Sequence, residues 1–116
     1  MRHRKKKATL GREKAQRDAL MRSLAESLVI HGSIRTTRAK ARALRTVVEP
    51  LITMAKKGGL TERRRAMQVL YTDRAVKQLM DVVAPRYKER SGGYTRIIKL
   101  APRANDAAQM VRIEFV

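Results

Sequence analysis

QMVRIEFV, residues 109–116, alternates strictly: Val111, Ile113 and Phe115 fall on one side of an extended chain, Arg112 and Glu114 on the other. A period of two marks a half-buried β-strand, because successive side chains point to opposite faces. Upstream, after the turn Ser91-Gly92-Gly93, residues 94–101 read as a second strand, and residues 102–108 connect the two. A third, shorter β-like segment is Ser33–Thr36, with Ile34 inward.

The rest of the chain has helical spacing. From about Glu13 to His31, Leu20, Leu24 and Leu28 recur every four residues beside Met21 and Ala25, and Gly32 is placed to stop the helix. Thr37 can cap a second helix to about Lys57, whose stripe is Ala41, Leu44, Val48, Leu51 and Ala55. Pro50 lies in its middle and predicts a kink, since it removes one backbone donor. Thr61 can cap a third helix to about Tyr71, with Ala66, Met67 and Leu70 apolar. Asp73 can cap a fourth, with Val76, Leu79, Met80 and Val83 apolar, ended by Pro85. The sum is an α/β (α+β) fold: a two-layer domain of about four helices on a small sheet. Residues 12–116 form this single domain, and residues 1–11 form a basic N-terminal arm.

Charge speaks to partners. The 116 residues carry 28 Lys and Arg against 10 Asp and Glu, a formal net charge of +18. A field of that sign seeks a polyanion. Yet 43% of residues are hydrophobic, too many for a wholly disordered basic tail. There is no Cys, which excludes disulfides, thiolate catalysis and Cys-ligated zinc. Neither a secretory signal nor a membrane span is expected, and the cytoplasm is the expected compartment.

Catalysis finds no footing. His3 lies in the arm and His31 at a helix end, neither with a carboxylate at useful spacing, and the acids form no pair. Phosphate-cradling glycine loops are missing as well. The chain is therefore expected to be no enzyme and to need no metal or cofactor.

The positive features point to phosphate. Arg2, His3, Arg4, Lys5, Lys6 and Lys7 make an arm that can thread between nucleic-acid strands and release counterions. Arg12, Lys14, Arg17 and Arg22 crowd the first half of a helix, where cations oppose the macrodipole and an external anion would relieve them. Thr37, Arg38, Lys40, Arg42 and Arg45 repeat the pattern around the start of the second helix. In Arg90-Ser91-Gly92-Gly93-Tyr94-Thr95-Arg96, paired glycines let a backbone approach closely, Arg90 and Arg96 supply charge, and Tyr94 supplies a stacking face. A plain β-turn before a strand explains the same residues. If roughly ten phosphates are neutralised, log K should fall with log salt with a slope of about −7 to −9.

Composition does not choose between RNA and DNA. The helix pair between Thr61 and Ala84 could imitate a helix-turn-helix, but DRAVKQLMDVVA offers few base-reading side chains. Scarce aromatics argue against a single-strand stacking platform.

MRHRK at the start, SIRTTRAKARALR followed by VVEPLITMAKK, and the late GGYTRI resemble, almost end to end, the family of the seventeenth protein of the bacterial large ribosomal subunit. That resemblance implies a three-stranded mixed sheet and binding to large-subunit ribosomal RNA near the nascent-chain exit region. It further implies neighbouring ribosomal proteins as partners. One departure is Ser23, where many members carry Asn. The expectation is thus a structural constituent of the large subunit, monomeric outside the ribosome, with no membrane partner. The competing class is a free-standing nucleic-acid-binding regulator or architectural protein, which should self-associate.

Overall fold

A computed structural model describes residues 9–116. Helix α1 (Lys14–His31) leads through Gly32 into strand β1 (Ser33–Thr37), and helix α2 (Arg38–Ala55) follows with no loop between. Helix α3 (Leu60–Val69) and a last helical rod come next. That rod comprises α4 (Asp73–Gln78), a π-helical turn (Leu79–Val83) and α5 (Ala84–Arg86). Strands β2 (Thr95–Lys99) and β3 (Met110–Phe115) complete the chain. Four helical rods on three strands match the α+β reading.

The sheet order is β1-β3-β2, and β3 is antiparallel to both neighbours. The resemblance implied a mixed sheet, which the register corrects. The edge strands β1 and β2 do run the same way, but β3 separates them, so no parallel ladder forms. Gly32 makes the entry to β1 possible. At φ 80° it takes the left-handed conformation natural to glycine. Its N–H donates to the Leu28 carbonyl at 2.8 Å, and its own carbonyl accepts from Phe115 N–H at 3.2 Å. Helix end and central strand are thereby joined.

The core fills the space between sheet and helices. Val111, Ile113 and Phe115 are buried on the inner face of β3, as alternation required, with Ile34 of β1 packed partly buried against them. From α2 the stripe Ala41, Leu44, Val48, Leu51 and Ala55 is buried as spaced, joined by Ile52. Burying each such aliphatic side chain contributes about 1.5–3 kcal/mol. In α1 the buried line is Met21, Ala25, Leu28 and Val29. Leu20 and Leu24 lie on its flank, so the helix is rotated from the four-residue leucine stripe by the demands of packing on α2. α2 runs unbroken through Pro50, whose exposed position leaves the missing donor on the solvent side.

Two caps shift by one or two residues. α3 begins at Leu60 after Gly59, so Thr61 sits inside the first turn rather than capping it. Gly59 is already extended, and its carbonyl accepts from Arg63 N–H at 3.1 Å. Thr72, not Asp73, caps the last rod: its hydroxyl accepts from Ala75 N–H at 3.3 Å and donates to Glu26 at 2.6 Å, tying the rod to α1. Asp73 then lies in the first turn, where its charge favours the helix dipole. Pro85 does not end the rod, which reaches Arg86. The widened π turn just before it relieves the clash a proline ring makes with the carbonyl four residues earlier.

Candidate nucleic-acid interface

The first halves of α1 and α2 lie side by side, and an open groove of about 690 Å³ separates them. Lys14 and Arg17 line it from α1 and Arg42 from α2, over apolar surface from Leu10, Met21, Ala43 and Val47. Asp18 is the one acid in it. Arg17 reaches back to the Arg12 carbonyl at 3.4 Å, and Arg12 to the Leu10 carbonyl at 3.3 Å. Such bonds orient a guanidinium without neutralising it. Arg2, His3, Arg4, Lys5, Lys6 and Lys7 lie outside the described residues.

A second depression, of about 310 Å³, adjoins this groove at the start of α2 and is lined by Thr37, Arg38, Ala39, Arg42 and Gln109. It forms because Thr37 ends β1 and caps α2 at once, its hydroxyl accepting from Lys40 N–H at 3.4 Å. Arg38 is steadied by a neutral partner, donating to Gln109 Oε1 at 3.2 Å. Arg38, Lys40 and Arg42 make no ion pair among the described residues. Cations at the positive end of an 18-residue helix oppose its dipole, an arrangement that an anion would relieve.

Other candidates are committed within the fold. Arg22 donates to the Val69 carbonyl at 3.0 Å and lies 4.1 Å over the Tyr71 ring, so it braces α1 against the end of α3. Arg45 donates to Thr95 through Oγ1 at 3.3 Å and the carbonyl at 3.0 Å. Glu49, 3.9 Å away, accepts from Thr95 N–H at 3.2 Å, and together the two clamp the start of β2.

The glycine turn is corrected most. Tyr94 is 1% exposed and offers no stacking face. Its ring packs on Tyr87, centroids 5.3 Å apart, and its hydroxyl donates to the Arg90 carbonyl at 3.1 Å. Lys56 Nζ, from the end of α2, donates to that hydroxyl at 3.0 Å and to the Arg90 carbonyl. The Lys56 bond and the nearby Thr53 hydroxyl hold the phenol below its ordinary pKa. Gly92 and Gly93, both at positive φ, shape the turn that inserts the ring. Arg90 donates to the Gly92 carbonyl at 3.2 Å, and Arg96 pairs with Glu114 at 3.4 Å. The Tyr94 hydroxyl, which could have faced RNA, instead fastens the start of β2 to α2, while Arg90 and Arg96 stay exposed.

Three further exposed cations lie outside the charge clusters of the sequence, namely Arg35, Lys99 and Arg112. Lys99 joins Arg38 and Gln109 in a depression of about 140 Å³ at the sheet edge. Arg35 and Arg112 are exposed on the sheet's other face. The signal for both was the strand alternation itself, which places them opposite the buried residues. Among the described residues no three His, Asp or Glu side chains converge as metal ligands, and no helix is long and apolar enough to cross a membrane.

A family model for ribosomal protein L17 matches residues 20–116. The chain is 54% identical over its full length to the large ribosomal subunit protein bL17 of Zymomonas mobilis, covering 83% of that protein. It is 51% identical to the bL17 of Sphingopyxis alaskensis, again over its full length and 84% of the relative. With the bL17 of a Hydrogenobaculum species it shares 50% identity, covering 99% of that chain. The family model takes in the α2 side of the groove and the whole sheet, the full-length relatives cover the α1 side as well, and the chain accordingly belongs to the ribosomal protein L17 family.

Proposed function

We propose that this chain is a structural constituent of the large ribosomal subunit, in the cytoplasm, and that it binds and stabilises large-subunit ribosomal RNA. The observation that carries this reading is the run of cations without ion-pair partners among the described residues, from the α1–α2 groove to the start of α2: Lys14, Arg17, Arg42 and Arg38. Each is fixed on a rigid helix, so a phosphate backbone meets preorganised charge. Arg2, Arg4, Lys5, Lys6 and Lys7 of the N-terminal sequence add further cations for the same polyanion. The family resemblance supports a position near the nascent-chain exit region. Relatives named as large-subunit proteins support a structural role rather than catalysis.

Neighbouring ribosomal proteins are the second class of partner. Leu60, Met67, Tyr71 and Val82 are large hydrophobic residues left exposed, all within residues 60–82, and none of them lines the cationic groove. Protein neighbours would cover them. Outside the ribosome the chain is a monomer.

Sucrose-gradient sedimentation of the tagged chain at low and moderate salt tests the reading. Co-migration with the large subunit at both salts is the expected result. A free, self-associating protein that binds nucleic acid without the subunit would overturn it in favour of a regulator.

A further inference from the structure

The outer face of the sheet holds an arrangement that stability alone does not explain. Arg35 of β1 sits directly across from Arg112 of β3, and Ile98 of β2 completes the row. Like charges placed opposite each other on adjacent strands destabilise a sheet. In the next row Glu114 forms an ion pair with Arg96 at 3.4 Å and lies 3.9 Å from Arg112, so the one acid on this face is already shared. Arg35 has no acidic partner among the described residues. All three arginines are exposed, whereas Thr36, Val111, Ile113 and Phe115 on the opposite face are buried under the helices.

This face is joined to the helical groove. Arg35 lines a depression of about 420 Å³ with Leu100, Pro102 and Met110. Those three apolar residues also line the sheet-edge depression that contains Lys99 and Arg38. Arg38 lines the depression at the start of α2, and Arg42 links that one to the α1–α2 groove. The loop forming the corner is held rigid: Arg103 and Asp106 make two bonds, at 3.0 and 2.7 Å, and Ala108 N–H adds a third to Asp106 at 3.2 Å.

We propose that the phosphate-binding track continues round the sheet edge onto the outer face, where the opposed Arg35–Arg112 pair receives an RNA backbone, so that the chain grips RNA from both of its layers. The proposal rests on the RNA-binding reading above. A linear polyanion suits it because charge recurs along a connected path with an apolar floor for sugars. Guanidinium groups also suit phosphate by their forked donors.

Filter binding of protein-free large-subunit ribosomal RNA across a salt series tests it, with thermal melting in parallel. Arg35→Gln with Arg112→Gln should lower the slope of log K against log salt by about two and weaken binding at moderate salt. The melting temperature should hold or rise, since the like-charge opposition is gone. Arg35→Lys with Arg112→Lys should keep the slope. Unchanged affinity and slope in the glutamine pair, with binding lost in Lys14→Gln plus Arg42→Gln, would overturn this proposal and leave the RNA-binding reading intact. No loss in either pair would overturn that reading too. Normal RNA binding by the Arg35/Arg112 glutamine variant with loss of retention on the subunit would assign this face to an acidic protein neighbour, and the proposal fails.

Discussion

The turn at residues 90–96 and the start of α2 resemble each other in sequence and differ in what their polar groups do. Both set arginines beside residues that open the backbone to a ligand. In the turn, Lys56, Thr53 and Arg90 converge on the Tyr94 hydroxyl, and the ring lies in the core. At the start of α2, Thr37 satisfies the helix end while Arg38, Lys40 and Arg42 stay without acidic partners among the described residues. A basic residue informs on binding only once its internal partners have been counted. A tyrosine beside glycines is as well suited to anchoring a strand as to stacking on a base.

Substitutions can break or sharpen this contrast. The largest effect is expected from Tyr94→Ala, which empties a closed site between Tyr87 and the end of α2. A fall in melting temperature on the order of 15 °C should follow. A ring that stacked on a base would give the opposite ranking: Tyr94→Ala with Arg96→Ala would then harm subunit incorporation more than thermal stability. The buried ring reverses that order, and near-normal melting of the single Tyr94 variant would restore it. Lys56→Met should cost about 1–3 kcal/mol in urea unfolding, because the Tyr94 hydroxyl and the Arg90 carbonyl lose a charged donor.

Thr37→Ala should cost about 0.5–2 kcal/mol by uncapping α2, with thermal melting as the readout. It should also weaken RNA binding, because the cations of the first turn lose their fixed positions; unchanged affinity would detach the cap from the interface. Smallest in stability is Lys14→Gln with Arg42→Gln, expected within about 0.5 kcal/mol per site of the parent. There the salt dependence of RNA binding should fall by about two in slope, so the two regions exchange ranks between the two assays. A large stability loss with unchanged RNA affinity would erase the distinction.

Legibility in the sequence followed periodicity. β3 was readable because Val111, Ile113 and Phe115 alternate with charged residues, and α2 because its stripe steps by three and four. The same alternation carried Arg112 outward, although a search for clustered charge passes over arginines spaced along strands. α1 was readable as a helix but not in its rotation. Leu20, Leu24 and Met21 are equally apolar, and the position of α2 selects Met21 and Ala25 for burial. The caps at Thr61 and Asp73 slipped because neighbouring Gly59 and Thr72 were equally able to start the turns.

Composition, charge and spacing by themselves determined a basic α+β domain with a polyanionic partner, because net charge and hydrophobic period are local properties of the chain. Tertiary structure alone decided which cations remain free. Arg22, Arg45 and Lys56 find partners 34 to 50 positions away. No local pattern encodes such a partner, because it arises only when distant segments are brought together to bury the core. What remains uncompensated after that packing is the surface we propose for RNA.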